Sequence, residues 1–193
     1  MSRTQGKFIV FEGADGTGKT TQAKFLYHYL KKRKVPAEFI SFPRYADNLW
    51  GKLVRRYLDG EFGNISSVNP YLASVLYAGD RLLASEKIRK WLAQGKTVVC
   101  DRYMASNIAH QAAKIKDQKL KIKYIKWLED FEFGQNKIPK PDLVILLTIP
   151  TEVAQKFMRL RKLDIHEKDI RYQMLVAKAF EEYARTQKSW AIV

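Results

Sequence analysis

Gly13-Ala14-Asp15-Gly16-Thr17-Gly18-Lys19-Thr20 satisfies every fixed position of the pattern G-x-x-x-x-G-K-[ST], and the chemistry suited to that pattern is the binding of a nucleoside triphosphate. Glycines let a loop turn so that successive backbone N–H groups converge on phosphate oxygens, and a helix starting at the loop adds its positive end. Lys19 then reaches the β and γ phosphates, Thr20 offers a hydroxyl to Mg²⁺, and Thr21 stands near the α phosphate. The expected triphosphate site is therefore Gly13, Ala14, Asp15, Gly16, Thr17, Gly18, Lys19, Thr20 and Thr21. Asp15 is the odd member, because a carboxylate inside a phosphate loop repels its ligand unless it serves another group. Asp101, at the end of an apolar run, is the candidate metal-organising carboxylate beside Thr20; its alternative is an ion pair with Arg102. Loops of this kind serve switches, motors, helicases and small-molecule kinases alike, so the reaction has to be read from other residues.

Such a loop needs a strand before it and a helix after it, and both are legible. Phe8-Ile9-Val10-Phe11 is a short apolar run, and residues 20–32 place Ala23, Leu26, Tyr27 and Leu30 at helical spacing. Further strands are predicted at 39–42, 97–100, 143–147 and 190–193, the fourth of the five strands fully buried. Helices are predicted at about 49–60, 70–94, 106–114, 120–131 and 151–160, with one more reaching about 187; Pro70 opens the long helix and Gly95 closes it. Strands alternating with helices give a parallel sheet with right-handed crossovers and ligands at the strands' carboxyl ends. The expectation is an α/β three-layer P-loop fold, a five-stranded parallel sheet with helices on both faces, as one domain over residues 1–193.

With 193 residues and 46% hydrophobic content the chain can bury a sizeable core. Its one cysteine, Cys100, cannot form an internal disulfide and sits in a predicted strand, which fits a reducing compartment. Residues 1–6 carry no apolar signal core, and no apolar run approaches the ~20 residues of a membrane helix, so a soluble cytoplasmic protein without a membrane partner is expected. Much of the excess behind the formal charge of +15 is lysine on helical stretches, such as 31–34 and Lys114 to Lys126, which are expected to be solvated faces. No dense basic patch interleaved with aromatics stands out, which argues against a nucleic-acid partner.

Beyond the loop, four more segments carry a resemblance. They are Phe42-Pro43-Arg44-Tyr45, Leu76-Tyr77-Ala78-Gly79-Asp80-Arg81, Asp101-Arg102-Tyr103-Met104-Ala105-Ser106-Asn107 and Lys140-Pro141-Asp142-Leu143-Val144. Together with Phe11 to Gln22, in this order and spacing, they make the chain similar to the thymidylate kinase family from about Phe8 to Val193. The resemblance implies an ATP-dependent, Mg²⁺-requiring transfer of the γ-phosphoryl group to dTMP, giving dTDP. It implies that Arg44 and Arg102, in segments with Tyr45 alongside, hold the acceptor's 5′-phosphate, a task that suits planar, bidentate guanidinium groups. Tyr77 then stacks on thymine, Arg81 one turn on bonds the base, Asn107 pairs with the thymine edge, and Asp15 meets the acceptor's sugar and the metal site. His110 falls near the 2′ carbon of the sugar. Each residue also has a plainer reading: surface ion pairs for the arginines, core packing for Tyr77, a helix cap for Asn107 and an exposed position for His110.

Some family members carry an arginine directly after the loop acid, where this chain has Gly16. Another cation must then meet the charge on the transferred group. Arg159, Arg161, Lys162, His166, Lys168 and Arg171 crowd a segment at about 159–171 that matches the family's lid, its alternative being a solvated helix end. The catalytic set is thus Asp15, Lys19, Arg102, Arg159 and Arg161. The long helix at 70–94 holds more apolar residues than one face can bury, and relatives pair through this region, so a homodimer is expected. The rival readings are another P-loop nucleoside or nucleotide kinase, for dUMP or other monophosphates, and a nucleic-acid-binding NTPase.

Overall fold

The computed structural model of the protein describes residues 5–64, 67–158 and 169–193. Five strands, β1 (Phe8–Glu12), β2 (Ala37–Ser41), β3 (Thr97–Asp101), β4 (Leu143–Leu146) and β5 (Trp190–Ile192), form one parallel sheet in the order β2-β3-β1-β4-β5. Between them run α1 (Lys19–Lys32), α2 (Leu49–Leu58), α3 (Pro70–Ala93), α4 (Met104–Ala112), α5 (Gln118–Glu129), α6 (Thr151–Met158) and α7 (Ile170–Ala184). This is the α/β P-loop architecture read from the sequence.

The period-2 alternation of the strands sorts their side chains into two layers. Phe8, Val10, Ile40, Val98, Cys100, Val144 and Leu146 face one way, onto Ile88 of α3, Ile108 of α4 and Val176 and Phe180 of α7. Ile9, Phe11, Phe39, Val99 and Ile145 face the other way, onto Ala23, Leu26 and Leu30 of α1. Full burial of each large apolar side chain contributes about 1.5–3 kcal/mol, so the sheet is held by both layers. The expectation of a fully buried fourth strand is corrected here: Val144 and Leu146 are buried, whereas Leu143 and Ile145 are only half-buried.

Local signals set most helix ends. Asn48, Asn69, Asp117 and Asp169 each cap a helix by accepting a backbone N–H within the first turn. At the other end of α3, Gly95 (φ 77°) donates to the Leu92 carbonyl and Lys96 to that of Trp91, the bond pair that closes a helix through a left-handed glycine. Two boundaries escaped the sequence. Helix α4 starts at Met104, two residues before the predicted 106, because its first amides are capped from another element: the Glu12 carboxylate accepts from Tyr103 N (2.8 Å) and Ser106 N (3.0 Å). Helix α5 runs on into a π-helical turn, Asp130–Gln135, whose significance lies in Glu132.

Candidate active site

Residues 13–18 join β1 to α1 at the carboxyl edge of the sheet, with Gly13, Gly16 and Gly18 at φ 148°, 81° and 83°. Gly16 is required twice over. Its left-handed φ excludes most side chains, and a Cβ there would lie 2.5 Å from the Ala154 carbonyl oxygen of α6. The observation that no cation stands at this loop position thus has a steric cause. Lys19 is buried, donates to the Ala14 carbonyl (2.9 Å) and stands 3.7 Å from Asp15 Oδ1. Burial, reinforced by the charge of Arg102, lowers its ammonium to about 8.

Arg102 follows β3 with its backbone at φ 64°, a left-handed position that costs a non-glycine residue on the order of 1 kcal/mol and recurs at functional sites. That turn directs its Nη2 onto Asp15 Oδ1, while Nη1 meets Ser106 Oγ at 3.3 Å. The second oxygen of Asp15 accepts from Gln173 Nε2 of α7 (3.1 Å). Burial alone would push the Asp15 carboxyl up, but Arg102, Lys19 and the Gln173 bond outweigh it and hold the group well below the usual carboxylate range. Asp15 is therefore an ionised brace that ties the phosphate loop to Arg102. Glu12 supports the same junction from behind, also accepting from Ser106 Oγ (2.5 Å), although burial pushes its carboxyl up.

These groups open onto a cleft of about 930 Å³ lined by Asp15, Gly16, Thr17, Gly18, Lys19, Thr20 and Thr21, and also by Tyr45, Tyr77, Arg81, Asp101, Arg102, Asn107 and His110. Gly13 and Ala14 do not line it, but residues 15–21 and nearly all the expected acceptor residues thus share one site. Arg44 is the exception: it does not line the cleft, and its Nε and Nη2 donate to Asp80 Oδ1 (2.9 Å) and the Asp80 carbonyl (2.8 Å). Asp80 on α3 is buried and also accepts from Arg44 N, so the pair braces the segment after β2. The surface-pair reading of Arg102 fails in the opposite sense, since its partner is buried Asp15. Asn107 lies inside α4 and caps nothing; the cap position there is Tyr103. His110 is buried, not exposed, and burial pushes its imidazole down to about 3 with help from Arg102, Lys19 and Lys114 against the pull of Asp15. Lys114, expected on a solvated face, donates to Tyr57 Oη at 2.6 Å and is lowered to about 8 by burial.

Several site residues were not foreseen. Glu132 pairs with Arg81 through two bonds of 2.6 Å, Gln173 reaches Asp15 across the fold, and Arg55 lines the cleft with its guanidinium over the Tyr45 ring. Only Glu132 left a trace in the sequence, as an acid between Phe131 and Phe133. The expected lid residues Arg159, Arg161, Lys162, His166 and Lys168 lie outside the described residues; Arg171, at the start of α7, is exposed.

For a divalent cation, the donors that fit are the Thr20 hydroxyl and Asp101. Asp101 is buried at the end of β3; its Oδ2 accepts from Ser41 Oγ (3.2 Å), and Oδ1 has no hydrogen-bond partner among the described residues. A buried, unpartnered carboxylate oxygen is the hard ligand that Mg²⁺ takes, with phosphate oxygens and water completing its shell.

A cleft that presents cations both from a phosphate loop and from the wall facing a second molecule has the layout of a P-loop nucleoside monophosphate kinase, and that is the class of this protein. Comparison with known proteins narrows the class. A sequence model described as thymidylate kinase matches residues 11–193, and the chain belongs to the thymidylate kinase family. It is 33% identical over 153 residues to the thymidylate kinase of Plasmodium falciparum, a match covering 79% of this chain and 66% of that enzyme. The thymidylate kinase of Mycobacterium tuberculosis (strain H37Rv) is 30% identical over 183 residues, covering 91% of this chain and 85% of that one. The solved structure of thymidylate kinase from Candida albicans superposes with a TM-score of 0.79 at 28% identity, over 98% of this chain and 83% of its own.

Proposed function

We propose that this chain transfers the γ-phosphoryl group of ATP to dTMP, yielding ADP and dTDP for dTTP synthesis. The observation that carries the reading is the Asp15–Arg102 contact, which joins the phosphate loop to the acceptor wall inside one cleft. In this reading the loop amides of residues 13–18 and Lys19 hold the ATP phosphates, and arriving phosphate charge keeps the Lys19 ammonium protonated. Thr20 and Asp101 would hold Mg²⁺, which when bound would offset the negative charge of the phosphates. Arg102 spans Asp15 and the acceptor's 5′-phosphate, Tyr77 packs on the base, and Arg81 and Asn107 bond its edge. Neutral His110 stands against the sugar and disfavours a 2′-hydroxyl there. Since Gly16 has no room for a side chain, we assign the cation on the transferred group to Arg159 or Arg161 of a lid at about 159–171, within a single domain. Phosphoryl transfer demands positioning and charge neutralisation more than covalent help, and this set supplies both.

A homodimer through α3 and a cytoplasmic location complete the reading, the latter supported by the buried free thiol of Cys100; no described helix is long and apolar enough to cross a membrane. The test is ATP consumption with dTMP, dUMP, dGMP, thymidine and single-stranded DNA offered in turn, with and without EDTA. Mg²⁺-dependent turnover with dTMP above the other acceptors is expected. Preference for thymidine or stimulation by DNA would refute the assignment.

A further inference from the structure

Glu132 stands behind the base end of the cleft, fully buried on the π-helical turn after α5. Its Oε2 accepts from Arg81 Nε and its Oε1 from Arg81 Nη2, both at 2.6 Å. Oε1 also accepts from Asn107 Nδ2 (3.3 Å), whose other proton goes to the Ser74 carbonyl (3.1 Å). The amide orientation of Asn107 is thereby fixed by acceptors on its nitrogen, which leaves Oδ1, buried and without a partner among the described residues, on the side away from Glu132. Arg81 likewise keeps one nitrogen, Nη1, with only a long 3.4 Å contact to the Tyr103 carbonyl. Both Arg81 and Asn107 line the cleft. We propose that Glu132 is a positioning residue that sets base specificity: by clamping Arg81 and Asn107 together it leaves one donor and one acceptor for the ligand, the complement of a keto pyrimidine. Thymine and uracil offer a C4 carbonyl and an N3–H to that pair, whereas cytosine offers an amino group and a bare N3 and meets both with the wrong polarity. Stability gives a weaker account of the same carboxylate, since a buried ion pair is often no more stable than an apolar pair of equal volume. The inference rests on the reading of this cleft as the thymidylate site.

The test is Glu132→Gln. It is nearly isosteric, but it offers Arg81 and Asn107 one acceptor oxygen in place of two and carries no charge, so the clamp loses at least one bond and the two side chains lose their fixed register. The expected result is a KM for dTMP raised about 10-fold or more, with kcat at saturating dTMP within about 3-fold and KM for ATP unchanged. The ratio of kcat/KM for dTMP over dCMP should fall about 10-fold or more. A merely structural role would instead depress kcat and raise both KM values together while leaving the dTMP to dCMP ratio alone, and that pattern overturns the inference. Should Glu132→Gln not fold, Glu132→Asp keeps the charge opposite Arg81 but shortens the reach; the same selective loss supports the proposal, and wild-type KM and ratio refute it. Wild-type protein that does not phosphorylate dTMP at all would refute the thymidylate reading itself, whereas normal wild-type turnover with an unchanged ratio in the variants refutes this inference alone.

Discussion

At the scale of single residues the site is a set of buried charges that hold one another in place. The arginines of the proposed lid carry the sharpest kinetic expectation, because the steric demand at Gly16 leaves no room for a cation at that position of the loop. Arg159→Met and Arg161→Met keep much of the aliphatic stem, so KM values should change little while kcat falls about 10²-fold or more for the responsible residue. Single-turnover rates measure this, and wild-type rates in both variants and their double would remove the lid from the chemistry. His110 gives a pH signature. Its imidazole protonates below about 6.5 when exposed and only at about 3 in the fold, so between these values the unfolded chain binds the extra proton and folding stability falls as pH drops. The loss attributable to this residue is on the order of 4 kcal/mol at the acid end of that window. His110→Gln, neutral at every pH, should show a flatter stability profile from pH 6.5 to 4 in urea titrations; parallel profiles would contradict it.

At the scale of elements, what matters is how closely α6 approaches the phosphate loop. Gly16 and Gly18 have nearly the same φ, 81° and 83°, but only Gly16 has backbone within reach of a Cβ, the nearest atom 2.5 Å away, while at Gly18 nothing lies within 4 Å. Gly18→Ala should therefore cost the left-handed strain alone, about 1–2 kcal/mol. Gly16→Ala should cost that and a further 1–3 kcal/mol or so for displacing α6, as overpacking does elsewhere. Urea unfolding of the two variants without nucleotide makes the comparison, and coincident midpoints would show that α6 does not press on the loop.

At the scale of the whole molecule, α3 carries the question of assembly. It packs on the core through Ala84 and Ile88, yet Leu72 and Leu83, three turns apart on one stripe, are 57% and 56% exposed. Solvent-facing leucines on the longest helix are what a second copy would cover. Light scattering at micromolar concentration should give the dimer mass for the wild type and a lower mass for Leu83→Glu, which sets two like charges against each other across a two-fold interface. A monomeric wild type would refute the pairing. Part of the charge of +15 sits on exposed lysines of α1 and α5, and repulsion among them bears on solubility more than on the site.

Much of this protein was determined locally. The phosphate loop is one continuous segment whose chemistry depends on spacing; the strands are short apolar runs; and helix α3 begins at Asn69-Pro70 and ends at Gly95 by bonds to its own neighbours, so each could be read without knowing the fold. What the tertiary structure decided are the pairings between residues far apart in sequence. Arg102 is separated from Asp15 by 87 positions, Gln173 from Asp15 by 158 and Arg81 from Glu132 by 51. Arg44 and Arg102 look alike in sequence, each an arginine just beyond a strand; one is turned to buried Asp80 and the other, by a left-handed backbone, into the cleft. The start of α4 was misjudged for the same reason, because its cap is Glu12 on another strand. Propensity and periodicity act over a few residues, whereas the ionisation and orientation of a buried charge depend on which partner the packing brings within about 3 Å, and no local pattern encodes that.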